Sequence, residues 1–458
     1  MIKPTIPRGM RDFPPEVTVK RNFILTAIRT TFEKFGFLPL ETPCMENLSV
    51  LTGKYGDEGD KLLYKVLNSG DYLAKLENKE QFFQDASLLS SRISEKGLRY
   101  DLTVPFARFV VMNRNDITLP FKRYQIQPVW RADRPQKGRY REFYQCDADV
   151  IGTKSLICEA EVGLMVHEAF AKLGLHDYVL KLNSRKILEG IAEIGDEINR
   201  SEEFFVALDK LDKIGIEGVK TELESREFSK DFIEKLNEIV GFKGGNFEKI
   251  EFLKTILKDS ETGLSGLEEI EEVLNYINSM AGEMSEIEFD FTLARGLAYY
   301  TGVIFEARAL NVKIGSIGGG GRYDNLTGVF GWPDVSGIGF SFGIDRIYDV
   351  MEELRLFDSK TVPSTQVLVT NFEKNAEKFA LRILTKIRNA GINAEIYPDI
   401  VKLKKQLNYA NKKNIPYVLI IGPEELKKAV CTLKNMVTGE QEEISIDELI
   451  KKFALPKN

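Results

Sequence analysis

The chain has 458 residues, of which 43% are hydrophobic and 29% are charged, with a formal net charge of −6. This length is too great for one ordinary hydrophobic core and predicts a globular protein of two or three domains. Because the sequence has no apolar run of about 18 residues and no apolar leader at its start, we expect no membrane span and no secretory signal.

The first predicted element is an amphipathic helix over residues 18–35, in which Ile28, Phe32 and Phe35 recur at three- and four-residue spacing. Gly36 marks its end. The segment after it reads as extended over residues 37–43. Residues 99–152 then read as strands and turns that are rich in arginine.

A second helix is predicted over residues 155–175, with its end at Gly174. Residues 190–285 differ in character: they are rich in glutamate, poor in proline and patterned as helices. Residues 289–345 return to strands and glycine turns, and Arg346 opens another helix. The sequence therefore predicts one unit that a helical insertion interrupts.

Residues 356–364 are a predicted linker, and the pattern beyond it alternates between strands and helices. Such alternation predicts a small α/β domain. Its predicted strands cover residues 366–370, 394–397 and 417–421, and its predicted helices cover 373–390 and 402–413. Residues 365–458 carry 16 Lys and Arg against 11 Asp and Glu. That excess fits an RNA-facing surface, and an ordinary solvated surface explains it equally well.

The glycine-rich segment Gly315-Ser-Ile-Gly-Gly-Gly-Gly-Arg-Tyr-Asp324 fits neither common phosphate-binding motif. Its spacing does not match G-x-G-x-x-G, and the only Gly-Lys pair, Gly53-Lys54, is followed by Tyr55 where a P-loop needs Ser or Thr. Glycine lacks a Cβ, so this backbone must pass close to another group. That group is either a ligand or a neighbouring strand.

A basic and aromatic cluster extends from Val129 to Asp149 around the turn Arg134-Pro-Gln-Lys-Gly138. Guanidinium groups bind phosphate oxygens through two parallel hydrogen bonds, and aromatic rings among them can stack on a base. The alternative is a solvated basic hairpin.

Cysteine and histidine are too sparse for a zinc motif. No C-x-x-C pair is present, and a helix motif H-E-x-x-H starting at His167 would need a histidine where Ala171 stands. The sequence therefore predicts no zinc site and indicates no metal-ligand residue, and it predicts a reducing cytoplasm as the location.

Four segments, in order, resemble class II aminoacyl-tRNA synthetases in their histidyl form. The resemblance runs from about residue 5 to the C-terminus. Residues 7–12 and the helix that leads to Thr42-Pro43 resemble the family's start and motif 1. Arg131 with residues 139–149 resembles motif 2, and Phe289–Gly302 resembles the histidine signature. Gly318–Leu326 with Gly337–Arg346 resembles motif 3. Two positions depart from the usual motifs: Asp133 replaces a glutamate and Ala298 replaces an aspartate.

The resemblance implies an α+β fold. A catalytic domain built on an antiparallel sheet would carry a helical insertion, and a C-terminal α/β domain would bind the anticodon. The implied boundaries are 1–189 for the catalytic domain, 190–285 for the insertion, 286–355 for the resumed catalytic domain and 365–458 for the anticodon-binding domain.

The resemblance also implies the site residues. Arg131 and Arg295 would flank the α-phosphate of ATP and carry the catalysis. The remaining ATP contacts would come from Arg139, Phe143 and Arg346. The implied histidine-binding residues are Asp101, Thr103, Arg131, Gln145, Asp149, Arg295, Tyr299, Tyr300 and Tyr323. For Arg295 a structural ion pair is the alternative role, and for Tyr299 a place in the core.

The implied substrates and partners are ATP with Mg²⁺, L-histidine, tRNA(His) and a second copy of the chain in a homodimer. Family members read an extra 5′ guanosine of tRNA(His) through the motif 2 loop, where Arg134 and Gln136 stand. The alternative for this loop is that it contacts ATP only.

Two other functions remain to be weighed. One is a non-catalytic synthetase paralogue that acts as a regulatory subunit in histidine biosynthesis. The other is an RNA-binding protein that uses the same scaffold without catalysis. Both are disfavoured because Arg131, Arg295 and Arg346 are present, and the first also because a C-terminal domain is present.

Overall fold

The computed structural model describes residues 3–73, 86–294, 299–357 and 365–453. The chain divides into two compact units, Met1–Asp358 and Ser359–Asn458.

The first unit contains eleven strands among its described residues. They are β1 Leu38–Pro39, β2 Met45–Asn47, β3 Lys65–Val66, β4 Lys96–Leu98, β5 Phe121–Trp130, β6 Glu142–Ile151, β7 Tyr178–Ser184, β8 Ile287–Phe289, β9 Val303–Ala309, β10 Gly318–Tyr323 and β11 Gly337–Gly343.

The α-helices described in this unit are α1 Pro15–Lys34, α2 Leu48–Leu51, α3 Gly56–Lys61, α4 Ala86–Ile93, α5 Thr103–Met112, α6 Ile157–Lys172, α7 Arg185–Glu193, α8 Ser201–Leu208, α9 Leu211–Ser225, α10 Lys230–Gly241, α11 Asn246–Ile256, α12 Glu261–Ala281 and α13 Ile344–Glu353. Short 3-10 turns occupy Ile198–Arg200 and Gly328–Phe330.

An eight-stranded sheet forms the centre of this unit, in the order β1-β5-β6-β11-β10-β9-β7-β8. The neighbours from β5 to β7 in that order pair antiparallel, and only the outer pairs β1–β5 and β7–β8 are parallel. Helices α1 and α6 pack against this sheet, with Phe32 and Phe170 fully buried. The predicted α+β fold class is confirmed.

The glycines of β10 are required by the neighbouring strands. A Cβ on Gly320 would lie 2.0 Å from the carbonyl oxygen of Gly339, and one on Gly321 would lie 2.7 Å from that of Val303. Both distances are far below van der Waals contact, so only glycine fits between β9 and β11 at these positions. The sequence predicted a close approach to either a ligand or a strand, and at these two positions the group approached is a neighbouring strand.

One predicted segment is wrong. Residues 99–152 were expected to contain only strands and turns, but Thr103–Met112 forms helix α5. Residues 103–107 and Val110 of this helix are buried, so apolar residues surround it instead of forming one stripe. A helix buried on most sides lacks the one-sided periodicity that identifies amphipathic helices.

The other predicted helices of this unit are present, with shifted ends. Helix α1 begins at Pro15, three residues before the predicted start, because proline is favoured in the first turn, where its missing N–H costs nothing. The glutamate-rich stretch carries helices α8 to α12, as its pattern predicted. Helix α13 begins at Ile344, just before Arg346.

The second unit is a five-stranded mixed sheet with helices. Its strands are β12 Val367–Val369, β13 Ala394–Ile396, β14 Tyr417–Ile420, β15 Cys431–Asn435 and β16 Gln441–Ile444, in the order β13-β12-β14-β15-β16. The helices are α14 Glu377–Asn389, α15 Leu403–Lys412, α16 Pro423–Lys428 and α17 Ile446–Phe453. The first three strands are parallel and the last two are antiparallel. The hairpin β15–β16 and the last two helices were not predicted.

No helix in the described parts of either unit is long and apolar enough to cross a membrane.

Candidate active site

A pocket of about 380 Å³ opens over the central strands of the large sheet. Its walls come from β6, β10, β11, the start of α13 and the segment that leads into α5. Nine of the residues expected from the sequence line it together. They are Asp101, Thr103, Arg131, Arg139, Phe143, Gln145, Tyr299, Tyr300 and Arg346.

The other expected residues lie elsewhere. Asp149 and Tyr323 are buried next to the pocket and do not line it. Arg134 and Gln136 are exposed. Arg295 lies outside the described residues.

Asp101 is the centre of one hydrogen-bonded group in the wall. Its carboxylate accepts hydrogen bonds from the hydroxyls of Tyr55 at 3.0 Å and Tyr299 at 3.2 Å, and from the backbone N–H of Val104 at 3.2 Å. Burial raises the pKa of the Asp101 carboxyl, and these hydrogen bonds oppose the rise. The tyrosines thus fix a buried acidic group at the edge of the pocket.

Strand β6 contributes a row of side chains from alternate positions, because residues two apart on a strand share a face. Phe143, Gln145 and Asp147 line the pocket, and Asp149 follows on the same face. The Gln145 amide donates to the Ser341 hydroxyl at 2.8 Å. Opposite Asp149 stands Gly339, where a Cβ would lie 2.1 Å from the carboxylate.

Two carboxylates at the end of this row share one arginine. Arg123 Nη2 lies 2.8 Å from Asp149 Oδ2, and both side chains are almost fully buried. Burial raises the pKa of Asp147 to about 7; Arg123 lowers it and the charge of Asp149 raises it. The single positive charge of Arg123 therefore does not neutralise both the Asp147 and the Asp149 carboxylates.

Arginines form the other part of the wall. The Arg131 guanidinium lies 4.3 Å from the ring centre of Tyr100 and 5.2 Å from that of Phe143. Arg139 pairs with Asp133 at 2.7 Å. Arg346 donates to the carbonyl oxygens of Gly138 at 2.7 Å and Ser316 at 2.6 Å. These contacts fix permanently charged groups beside an aromatic face, which suits a nucleotide with its phosphates.

The turn after Arg134 is closed by backbone hydrogen bonds. Gln136 N–H donates to Arg139 O at 3.1 Å, and Arg139 N–H donates to Gln136 O at 2.9 Å. Gly138 has a φ of 71°, which a residue with a side chain rarely adopts. The turn presents Arg134 and Gln136 to solvent on a fixed backbone.

The family model for histidyl-tRNA synthetase matches residues 91–347. The chain belongs to this family. That range includes every residue that lines the pocket. A second family model, the anticodon binding domain, matches residues 366–454.

Relatives in this family match the whole chain. A histidine–tRNA ligase of Cytophaga hutchinsonii is 57% identical over 453 residues, covering 99% of this chain and 100% of that protein. The crystal structure of histidyl-tRNA synthetase from Nostoc sp. PCC 7120 aligns with a TM-score of 0.84 at 29% identity, covering 99% of this chain and 100% of that chain.

A structure from Bacillus halodurans, described as an ATP phosphoribosyltransferase regulatory subunit/histidyl-tRNA synthetase, aligns with a TM-score of 0.72 at 22% identity. It covers 90% of this chain and 98% of that chain. At this identity the likeness shows a shared fold alone.

Sequence reasoning missed Asp147, Tyr55 and Ser341. Asp147 could have been found, because it stands midway between Gln145 and Asp149 on the same strand face. Tyr55 and Ser341 carry no local signal, since each is selected by a hydrogen bond to a residue far away in the sequence. Among the described residues, no group of three or more His, Cys, Asp and Glu side chains could hold a metal ion.

Proposed function

We propose that this protein is a histidine–tRNA ligase, which activates L-histidine with ATP and transfers it to the 3′ end of tRNA(His). One observation carries the proposal. In a chain of the histidyl-tRNA synthetase family, a single pocket gathers nine of the twelve residues that the motifs imply for binding of the amino acid and ATP.

In the first step a carboxylate oxygen of histidine attacks the α-phosphorus of ATP, and the bond to the β-phosphate oxygen breaks to release pyrophosphate. Negative charge builds up on the phosphoryl oxygens, where fixed cations stabilise it. Arg131 and Arg295 are the proposed partners on the two sides of the α-phosphate. Arg346 is the proposed contact of the γ-phosphate and of adenine, and Phe143 is proposed to stack on the adenine ring. Arg139 adds positive charge to the ATP side of the pocket. No side-chain nucleophile is needed, because positioning of the reactants supplies most of the rate.

Histidine is held at both ends. Asp101, Thr103 and Gln145 are the proposed contacts of its α-amino group. Asp149 and Tyr300 recognise the imidazole ring, and Tyr299 and Tyr323 complete this part of the site. The Tyr299 ring centre lies 4.9 Å from that of Tyr300 and 6.1 Å from that of Tyr323. A neutral imidazole has one donor and one acceptor nitrogen, so a carboxylate and a hydroxyl match it.

In the second step a ribose hydroxyl at the 3′ end of tRNA attacks the carbonyl carbon of histidyl-adenylate, and AMP leaves. Arg134 and Gln136 are the proposed readers of the 5′ end of tRNA(His), since both are exposed on the closed turn. The second unit is the proposed reader of the anticodon, which its match to the anticodon binding domain supports.

Mg²⁺ would enter as the counter-ion of ATP. This ion keeps several waters and is usually bound through phosphates with one or two carboxylates, so a closed protein site is not required. Glu306 is a carboxylate of the pocket lining, and it is paired with Arg308 at 2.7 Å.

We further propose a homodimer in the cytoplasm. Strand β1 lies at one edge of the large sheet and exposes 61% of Leu38, while Met45 and Met112 are 49% and 72% exposed. An edge strand and large exposed apolar side chains are features that suit burial by a second copy. The cysteines of the described chain are all free thiols, which suits a reducing compartment.

The decisive assay is histidine-dependent ATP–pyrophosphate exchange, followed by charging of tRNA(His). We expect exchange with L-histidine and none with the other amino acids. A folded protein with no exchange would contradict the proposal and favour the regulatory paralogue. That alternative is already disfavoured by the full-length relatives and by the anticodon-binding match.

A further inference from the structure

Arg99 is a fully buried arginine that stands two residues before the pocket residue Asp101 and does not itself line the pocket. Its Nε donates a hydrogen bond to the carbonyl oxygen of Pro128 at 2.9 Å. Its Nη1 donates to the carbonyl oxygen of Thr42 at 2.7 Å and to the side-chain oxygen of Gln127 at 2.8 Å. These acceptors are neutral oxygens, so through these bonds the planar guanidinium joins chain segments and does not neutralise a carboxylate.

The backbone around Arg99 extends the same connection to Arg131. The N–H of Arg99 donates to the carbonyl oxygen of Cys44 at 3.1 Å, and the carbonyl oxygen of Arg99 accepts from the N–H of Trp130 at 3.1 Å. The Nε of Arg131 donates to the carbonyl oxygen of Tyr100 at 3.0 Å. The segment before α5, the end of β5 and the segment before β2 are thus fixed to one another around one buried guanidinium.

The two proposed substrate-binding groups at this junction lie outside regular secondary structure. Asp101, the proposed contact of the α-amino group, precedes α5, and Arg131, the proposed contact of the α-phosphate, follows β5. The hydrogen bonds around Arg99 therefore fix the distance between these two groups. Reacting atoms must approach to about 3–3.5 Å with the correct alignment, so this distance matters to the reaction even when each substrate is bound.

Each of the two groups also has support that does not depend on Arg99. Asp101 accepts hydrogen bonds from the hydroxyls of Tyr55 and Tyr299, and the guanidinium of Arg131 lies 5.2 Å from the ring centre of Phe143. A change at Arg99 should therefore alter how the two groups stand relative to each other, while each remains able to bind its own substrate.

We propose that Arg99 is a positioning residue that sets the distance between Asp101 and Arg131, and thereby aligns the carboxylate of histidine with the α-phosphorus of ATP. Arg99 contacts neither substrate in this arrangement. The inference rests on the proposed function, and it names a residue outside the pocket wall on which the rate of activation depends.

The first test compares Arg99→Lys with Arg322→Lys in the full-length protein. Lysine keeps the positive charge and loses the planar fork of donors. Arg322 is the matched control, because it is 5% exposed and also joins several segments: it pairs with Glu159, and it donates to the carbonyl oxygen of Thr153 at 3.0 Å and to the hydroxyl of Ser336 at 2.6 Å.

For Arg99→Lys we expect the kcat of pyrophosphate exchange to fall about 10- to 100-fold, because a misplacement of about 1 Å can cost about 100-fold in rate. The Kd values of L-histidine and of ATP, each measured alone by calorimetry, should change less than about 3-fold. Arg322→Lys should lower the Tm and leave kcat within about 3-fold of the unmodified enzyme. The proposal is overturned by an unchanged kcat in Arg99→Lys, by equal losses of kcat in the two variants, or by a Kd for either substrate that rises as much as kcat falls.

The second test measures alignment directly with a non-hydrolysable histidyl sulfamoyl-adenosine. This compound spans the amino-acid half and the nucleotide half of the site, so its affinity depends on how the two halves stand relative to each other. Arg99→Lys should weaken its binding about 10- to 100-fold, by the same factor as the fall in kcat, and Arg322→Lys by less than about 3-fold. Unweakened binding of the compound to Arg99→Lys would contradict an alignment role.

Gln127→Met is a milder variant, because it removes one acceptor of the guanidinium and leaves the carbonyl oxygens of Thr42 and Pro128 in place. We expect its kcat to fall about 3- to 10-fold with both Kd values nearly unchanged, and it decides the question if Arg99→Lys does not fold. An unchanged kcat in Gln127→Met would then refute the inference. An unmodified enzyme without histidine-dependent exchange would defeat the proposed function, whereas normal exchange in the unmodified enzyme and in both variants would defeat only the role of Arg99.

Discussion

Arg123 and Asp149 stand directly opposite each other on strands β5 and β6 and form a buried ion pair, with Nη2 2.8 Å from Oδ2 and side chains 0% and 3% exposed. The same carboxylate accepts a hydrogen bond from Tyr323, whose ring contacts Tyr299 of the pocket. The buried Arg123 is thus connected, through Asp149 and Tyr323, to the pocket wall that is proposed to bind histidine.

Replacement of Asp149 by alanine should abolish histidine activation more than it affects folding. The change removes the proposed acceptor for the imidazole N–H, and it leaves the Arg123 charge and the Tyr323 hydroxyl without their partner. We expect kcat/KM for histidine in pyrophosphate exchange to fall by about 100-fold or more, with the KM for ATP nearly constant. Circular dichroism checks the fold. An unchanged kcat/KM for histidine would remove Asp149 from the site.

Removal of residues 365–458 should spare adenylate formation and weaken tRNA charging. All motif residues lie in the first unit, Met1–Asp358, and the deleted residues belong to the second unit. The expected result is detectable pyrophosphate exchange with charging reduced about 100-fold or more, the scale of losing one recognition surface. Charging at the full rate would rule out the proposed reading of the anticodon.

Gln136→Ala should change tRNA selection without changing activation. The side chain is exposed on the closed turn, and an amide can bind a base edge with a donor and an acceptor. The unmodified enzyme should prefer tRNA(His) with the extra 5′ guanosine, and the variant should lose about 10-fold of that preference. Equal preference in both proteins would exclude Gln136. A parallel loss of pyrophosphate exchange would assign it to ATP.

Glu159→Gln should destabilise the first unit strongly. Glu159 on α6 pairs with Arg322 on β10 at 2.7 Å, with exposures of 0% and 5%. Breaking one side of a buried pair costs about 3–5 kcal/mol. The matched control is Glu353→Gln, which breaks the exposed pair with Lys137 and should cost about 0–1 kcal/mol. Urea unfolding of both variants gives the free energies. Similar losses in the two would contradict this assignment.

Asp147→Asn should stabilise the ligand-free protein at high pH. Burial raises the pKa of Asp147 to about 7, so the folded state binds more protons than the unfolded state between about pH 4 and pH 7. Stability is therefore lost as the pH rises through this window, and asparagine avoids the loss. We expect the Tm of the variant to exceed that of the unmodified protein by about 2 °C or more at pH 8, and the difference to shrink towards pH 5. A Tm difference that grows towards acid pH would contradict the raised pKa.

The sequence alone determined the family and nine of the residues that line the pocket. Motifs are short runs with fixed residue types, so Arg131, Gln145 and Tyr300 could be recognised without coordinates. Helices α1 and α6 and the first strands of the second unit followed from periodicity, because each buries one face or lies in a short apolar run.

Only the tertiary structure decided which groups pair. Tyr55 meets Asp101, and Arg123 meets Asp149, through strand register and chain crossings that no local pattern records. Helix α5 was not predicted because it is buried on most sides. The carbonyl oxygen of Gly339 leaves no space for a Cβ on Gly320. The physical reason is the same in each case: burial and hydrogen bonding depend on residues that are distant in sequence and meet only in the folded chain.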